Sequence, residues 1–200
     1  KETVSIGIEA SLTGHLVFAT LHTNSAPESI VRLLDMGMDP FNFADALLGV
    51  LAQRLAKRLC AFCKKEYTPA PEEMKLLLTE YCEELNNTEA FRKDPKAGHE
   101  AVYKEWVAGY ADDKAKGRFK LYRPVGCEQC NNTGYKGRVG LHELMVGSDA
   151  VKKLIQEHAR VADLVACALD DGMRTLKMDG IEKVLGGITD IAQVRAVCIK

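Results

Sequence analysis

The chain has 200 residues, a net charge of −1 and 46 % hydrophobic residues. This is enough apolar material for one or two domains with proper cores, and the balanced charge excludes a global electrostatic case for nucleic acid or an acidic membrane. No apolar run approaches the roughly 20 residues of a membrane span. Lys1-Glu2-Thr3-Val4 is neither a signal peptide nor an initiator sequence, so a piece of a longer chain is expected.

Val4, Ile6, Ile8 and Leu12 predict a short helix, weakened by Gly7. Leu16 to Leu21 is nearly continuously apolar with β-branched and aromatic bias, and predicts a strand buried on both faces, as in a parallel sheet. Ligands of open α/β sheets sit beyond the carboxyl ends of strands, which is where His22-Thr23-Asn24 falls; His15 stands at the other end. Ser25 as N-cap, Pro27 in the first turn, Glu28 three residues after the cap and a Gly37 stop predict a helix over 25–36. Asp39-Pro40 restarts the chain, and leucines at 47, 48, 51 and 55 predict a second helix over 42–58.

The next stretch organises the chain. Cys60-Ala61-Phe62-Cys63 and Cys127-Glu128-Gln129-Cys130 are two Cys-x-x-Cys knuckles separated by 63 residues. Four thiolates in a tetrahedron form the preferred closed structural site for zinc, so Cys60, Cys63, Cys127 and Cys130 are the candidate ligands. Unligated buried thiols and a redox pair are the alternatives. With all four positions filled by cysteine, an open catalytic zinc is disfavoured. Seven cysteines in total, with such a site, argue for a reducing cytosol. Cys82, Cys167 and Cys198 are isolated and read as inert.

Between the knuckles, residues 71–120 hold 11 Asp/Glu and 9 Lys/Arg, too charged for a sizeable core of their own. Leu76, Leu77, Leu78, Tyr81 and Leu85 predict one helix and Val102, Trp106 and Tyr110 another, with a loop from Asn86 to Gly98. A solvated hairpin is the plain expectation for this insert; a docking surface anchored on an exposed Trp106 is the functional one. After Cys130, Val139, Leu141, Leu144 and Met145 predict a short strand. Ser148 caps a helix to His158, and further helices follow over 161–170, 175–185 and from a Thr189 cap to about Val197. His99, His142 and His158 read as structural.

The segments Thr13-Gly14-His15-Leu16-Val17, Thr20-Leu21-His22-Thr23-Asn24, Arg32 to Gly37, Ala52-Gln53-Arg54-Leu55, both knuckles, Gly134 to Leu144 and Asp171 to Leu176 resemble the hexameric ATPases of type II secretion and type IV pilus assembly. The resemblance continues through Asp179 to Val184 and Gly187-Ile188-Thr189. It implies an α/β fold: the C-terminal part of a RecA-like ATPase domain over 1–58, a tetracysteine zinc element with a charged insertion over 59–134, and a mostly helical subdomain over 135–200. It also implies that His22 senses the γ-phosphate of ATP as a hydrogen-bond donor, that His15 holds the strand ends, and that Gln53 and Arg54 serve nucleotide binding and coupling between subunits. ATP with magnesium, a homo-hexamer, inner-membrane platform proteins and a place at the cytoplasmic face of the bacterial inner membrane follow from the same likeness.

No Gly-x-x-x-x-Gly-Lys-Ser/Thr phosphate loop occurs in these 200 residues, nor the family's acidic Walker B segment. The chain alone is therefore expected to be inactive while its parent is an ATPase. A free-standing zinc-ribbon adaptor would leave the strand 16–21 without sheet neighbours. Nucleic-acid binding lacks the basic stripe with interleaved aromatics that it requires.

Overall fold

In the computed structural model, which describes residues 2–198, the chain is a mixed α/β protein of two compact, interleaved units. One comprises residues 1–52 and 143–173, the other 53–142 and 174–200. Two long strands, β1 (Gly49–Leu59) and β4 (Tyr135–Val146), pair with each other, and each begins in one unit and ends in the other.

The first unit holds α1 (Glu2–Leu12), α2 (Ala26–Asp35), α3 (Pro40–Ala46), α7 (Asp149–Gln156) and α8 (Val161–Asp170). Helix α3 packs against α1 and α7, and α8 against α7 and α2. Ile30, Leu34, Phe43, Met145, Val151, Ile155 and Leu164 are buried. The caps read from sequence are in place: Ser25 Oγ accepts from the Glu28 amide, Asp39 from Asn42 and Ser148 from Val151. Helix α2 ends in a left-handed Gly37 (φ 80°), with Gly37 N–H donating to Leu34 O and Met38 N–H to Leu33 O. A side chain at that φ would be strained, which is why glycine stops the helix there.

Two expectations fail in this half of the sequence. Residues 16–21 form no strand, and Phe18 is 88 % exposed. Strand structure is a property of a ladder, and among the described residues no strand pairs with this segment. The predicted helix 42–58 stops at Ala46 and gives way to β1. Leu47, Leu51 and Leu55 recur every four residues, a spacing that one face of a helix and one face of a strand satisfy equally. Gly49, a poor helix former, and pairing with β4 decide for the strand.

The second unit contains β2 (Lys65–Tyr67), α4 (Pro71–Glu83), α5 (Glu89–Lys93), α6 (Pro95–Tyr110), β3 (Leu121–Arg123), α9 (Leu176–Leu185) and α10 (Ile191–Val197). The insert is neither a solvated hairpin nor a display of an exposed tryptophan. Helix α4 packs on α6 and on α9, and Trp106 is 2 % exposed, edge-on to Tyr81 at 5.3 Å between ring centroids. The segment expected to be loop holds α5 and the start of α6, and α5 packs against α6 with Phe91 buried. Apolar positions at i, i+4 on each helix supply the small core that the charge count concealed. Tyr81 Oη donates to Glu182, which also takes Arg174 Nε at 3.0 Å; burial and then Glu182 push the Tyr81 phenol far above its ordinary range.

The last helix is capped by Asp190, which accepts from Gln193 N–H, and not by Thr189. Thr189 is instead fully buried, its hydroxyl donating to Lys57 O at 2.8 Å.

Trp106 is the chain's single tryptophan, so its emission reports the insert directly. Trp106→Ala should cost on the order of 3–5 kcal/mol in urea unfolding. Trp106→Phe should cost clearly less, because the indole N–H has no hydrogen-bond partner among the described residues and its loss leaves nothing unpaired.

Candidate functional site

The two knuckles meet because the strands beside them pair. β2 leaves the first knuckle and β3 approaches the second; they run antiparallel with Lys65 opposite Arg123 and Tyr67 opposite Leu121. That register closes the insert at its base and places Cys60, Cys63, Cys127 and Cys130 together, with all four sulfurs within 4.8 Å of one another.

Each knuckle is a hydrogen-bonded turn. In the first, the Cys63 and Lys64 amides donate to Cys60 O. In the second, Glu128–Cys130 make a 3-10 turn that ends in a left-handed Asn131. Three peptide N–H groups point at sulfur: Gly126 at Cys63, and Cys127 and Gly134 at Cys130, at 3.2–3.3 Å. Burial opposes ionisation of Cys130, but the Cys127 and Gly134 N–H groups, with the neighbouring Cys127 and Cys63 thiols, outweigh it and bring its pKa down to about 6. Burial and the neighbouring Cys130 thiol push Cys127 up to about 11.

The sulfur pairs Cys60–Cys127, Cys63–Cys130 and Cys127–Cys130 lie 3.9, 3.8 and 3.8 Å apart. A tetrahedron with metal–sulfur bonds of about 2.3 Å has edges of about 3.8 Å. The donor set thus fits a soft or borderline dication with no position left for water.

The knuckles are stitched to the segment 187–190. Lys64 Nζ donates to Gly187 O at 2.7 Å and lies 4.4 Å over the Tyr122 ring; Leu59 N–H donates to Ile188 O; Tyr135 Oη donates to Asp190 at 2.6 Å. Sequence reading assigned this strap no role beyond a helix cap. Of the lone cysteines, Cys82 is buried, which pushes its thiol up to about 12.

The other sequence-derived residues have separate local partners. His15 closes the end of α1: its amide donates to Ala10 O, and its Nδ1 lies 3.2 Å from the same oxygen. His22 has an exposed side chain and a tethered backbone, its carbonyl accepting from Arg32 Nη1 at 2.7 Å. Gln53 Nε2 lies 3.3 Å from His142 Nε2, and the His142 amide donates to Asp179 at 2.7 Å. Arg54 is half-buried in β1. His158 takes a left-handed conformation at the end of α7, and His99 Nδ1 lies 2.8 Å from Pro95 O, so both serve local structure.

One residue escaped sequence reading. Glu143 is 5 % exposed and its Oε1 accepts the Ala26 N–H at 2.8 Å, across 117 positions of chain. The available signal was a carboxylate alternating with Leu141 and Met145 on the buried face of β4.

Gly134 sits at φ 78°, and a Cβ there would come 2.5 Å from Pro124 Cβ. Gly134→Ala should therefore displace an amide from Cys130 and weaken metal retention, read as faster release to a chromogenic chelator than from the unaltered protein.

The chain matches the family described as Type II/IV secretion system protein over residues 1–196 and belongs to it. It is 39 % identical over 200 residues to the type IV pilus assembly ATPase PilB of Thermus thermophilus, covering 100 % of this chain and 19 % of that protein. It is 38 % identical over 200 residues to the type II secretion system ATPase E of Vibrio cholerae, covering 98 % of this chain and 32 % of that protein. The type II secretion system protein HxcR of Pseudomonas aeruginosa is 35 % identical over 196 residues, covering 98 % and 31 %. The chain thus spans about a fifth to a third of the length of these relatives.

Proposed function

We propose that this chain is the part of a cytoplasmic, RecA-like, hexameric ATPase that carries the histidine segment and a structural zinc element. The motor couples ATP hydrolysis to pseudopilus assembly and protein export by type II secretion. The observation that carries the reading is family membership over nearly the whole chain, together with relatives named as ATPases. Type IV pilus assembly is the second reading, favoured by the 39 % identity to pilus assembly ATPases. No helix among the described residues is long and apolar enough to cross a membrane; in this reading the motor acts through platform proteins of the inner membrane.

In this reading Cys60, Cys63, Cys127 and Cys130 hold zinc, which supplies a closed structural crosslink. The convergence of four sulfurs near tetrahedral spacing supports it. His22, at the end of its segment, donates a hydrogen bond to the γ-phosphate of an ATP–magnesium complex, while His15 braces the segment's start. Gln53 and Arg54 take part in nucleotide binding and inter-subunit coupling. The remaining phosphate-binding parts come from outside these residues.

Freshly purified protein should contain one zinc per chain by elemental analysis, and Cys127→Ser should lose most of it and unfold at lower temperature. Absence of stoichiometric zinc would sink the assignment.

In the protein as its gene encodes it, His22→Ala should lower ATP turnover on the order of 10²–10³-fold with zinc content and melting temperature unchanged. The 200-residue chain, assayed alongside for phosphate release, should stay at background. A near-normal rate in the variant counts against the role of His22.

A further inference from the structure

We propose that Glu143 is a positioning residue for His22, acting through the first turn of α2; the inference rests on the role given to His22 above. Glu143 lies on the buried face of β4, and its carboxylate accepts the N–H of Ala26, the first residue of α2. This bond satisfies one of the amide donors that a ten-residue helix leaves without an intrahelical partner at its start, where the helix dipole favours an acceptor.

Three of the four residues before Ala26 are tied to the same helix. Arg32 Nη1 donates to His22 O at 2.7 Å. The Thr23 hydroxyl is hydrogen-bonded to that of Ser29 and donates to Ser25 O at 3.3 Å. Ser25 caps α2. On the other side of His22, residues 16–21 pair with no strand among the described residues. The backbone of His22 is therefore held from its C-terminal side, by α2, and the amide end of α2 is held in turn by Glu143. Removing the carboxylate frees the first helical turn, and His22 moves with it while its own side chain is untouched.

This predicts a loss in the chemical step. In the protein as its gene encodes it, Glu143→Ala should lower kcat about ten- to hundredfold, the scale of an ångström-sized misplacement. The KM for ATP should stay within about twofold, because the His22 contact to the γ-phosphate is far stronger in the transition state than in bound ATP. Glu143→Gln should recover most of the rate, its amide oxygen still accepting from Ala26. Introducing Glu143→Ala into His22→Ala should change nothing further, since the effect passes through His22.

Should Glu143→Ala fail to fold, Ala26→Pro carries the same test. Proline is tolerated at the first helical position and removes the amide that Glu143 holds. Its rate loss should likewise vanish in the His22→Ala background. Losses that multiply independently of His22, or that appear mainly in KM, would overturn the proposal. Normal turnover in Glu143→Ala beside a crippled His22→Ala would overturn this inference alone. Normal turnover in His22→Ala would remove the role of His22 and the inference with it.

Discussion

Four sulfurs within 4.8 Å of one another, three of the pairs at 3.8–3.9 Å, cannot all be anionic unless a cation sits among them. Two unit charges about 4 Å apart repel by about 4 kcal/mol at the effective dielectric of a protein surface, and a four-thiolate cluster contains several such pairs. The fold tolerates the cluster because peptide dipoles meet it first, with three N–H groups aimed at sulfur. A dication held among the four sulfurs would neutralise the remainder. Everything nearby is arranged by this demand: β1 ends at Leu59, β2 starts at Lys65, β3 ends at Arg123 and β4 starts at Tyr135, so each strand has one end within a few residues of a ligand.

How much of this was legible in the sequence depended on whether the determining interaction was local. Helices α2 and α7 could be placed from their caps, because Ser25 and Ser148 bond amides three residues away. The convergence of the four sulfurs was readable from two short motifs although 67 positions separate Cys60 from Cys127, because thiol chemistry restricts what such a pair of motifs can do. The failures share a cause in long-range pairing. Leu47, Leu51 and Leu55 carry no preference between helix and strand, and β4 settles it from about 90 residues away. Residues 16–21 have the composition of a buried strand, yet composition supplies no ladder partner.

The insert teaches a different lesson. A near-even mix of acids and bases hid a core of Leu77, Tyr81, Phe91, Val102 and Trp106, each at helical spacing but too few to dominate a composition average. The charges have partners of their own: Glu80 pairs with Arg195 and Lys177, and Arg174 bridges Glu182 and Glu105. Mostly half-exposed pairs like these add little stability. They do give α4 a defined register on α9, which apolar contact alone leaves loosely set.

The separation of the knuckles also has a temporal side. A ribosome adding about 5–20 residues per second needs roughly 3–13 s to travel the 67 positions from Cys60 to Cys127. The second pair leaves the ribosomal exit tunnel later than the first by the same interval, and until then the emerged first pair of thiols has no partners and is exposed to oxidants and to any metal in passing. The nascent chain thus carries one knuckle without its counterpart for seconds. Assembly of the four-sulfur cluster waits on synthesis of the second knuckle and on the non-local pairing of β2 with β3.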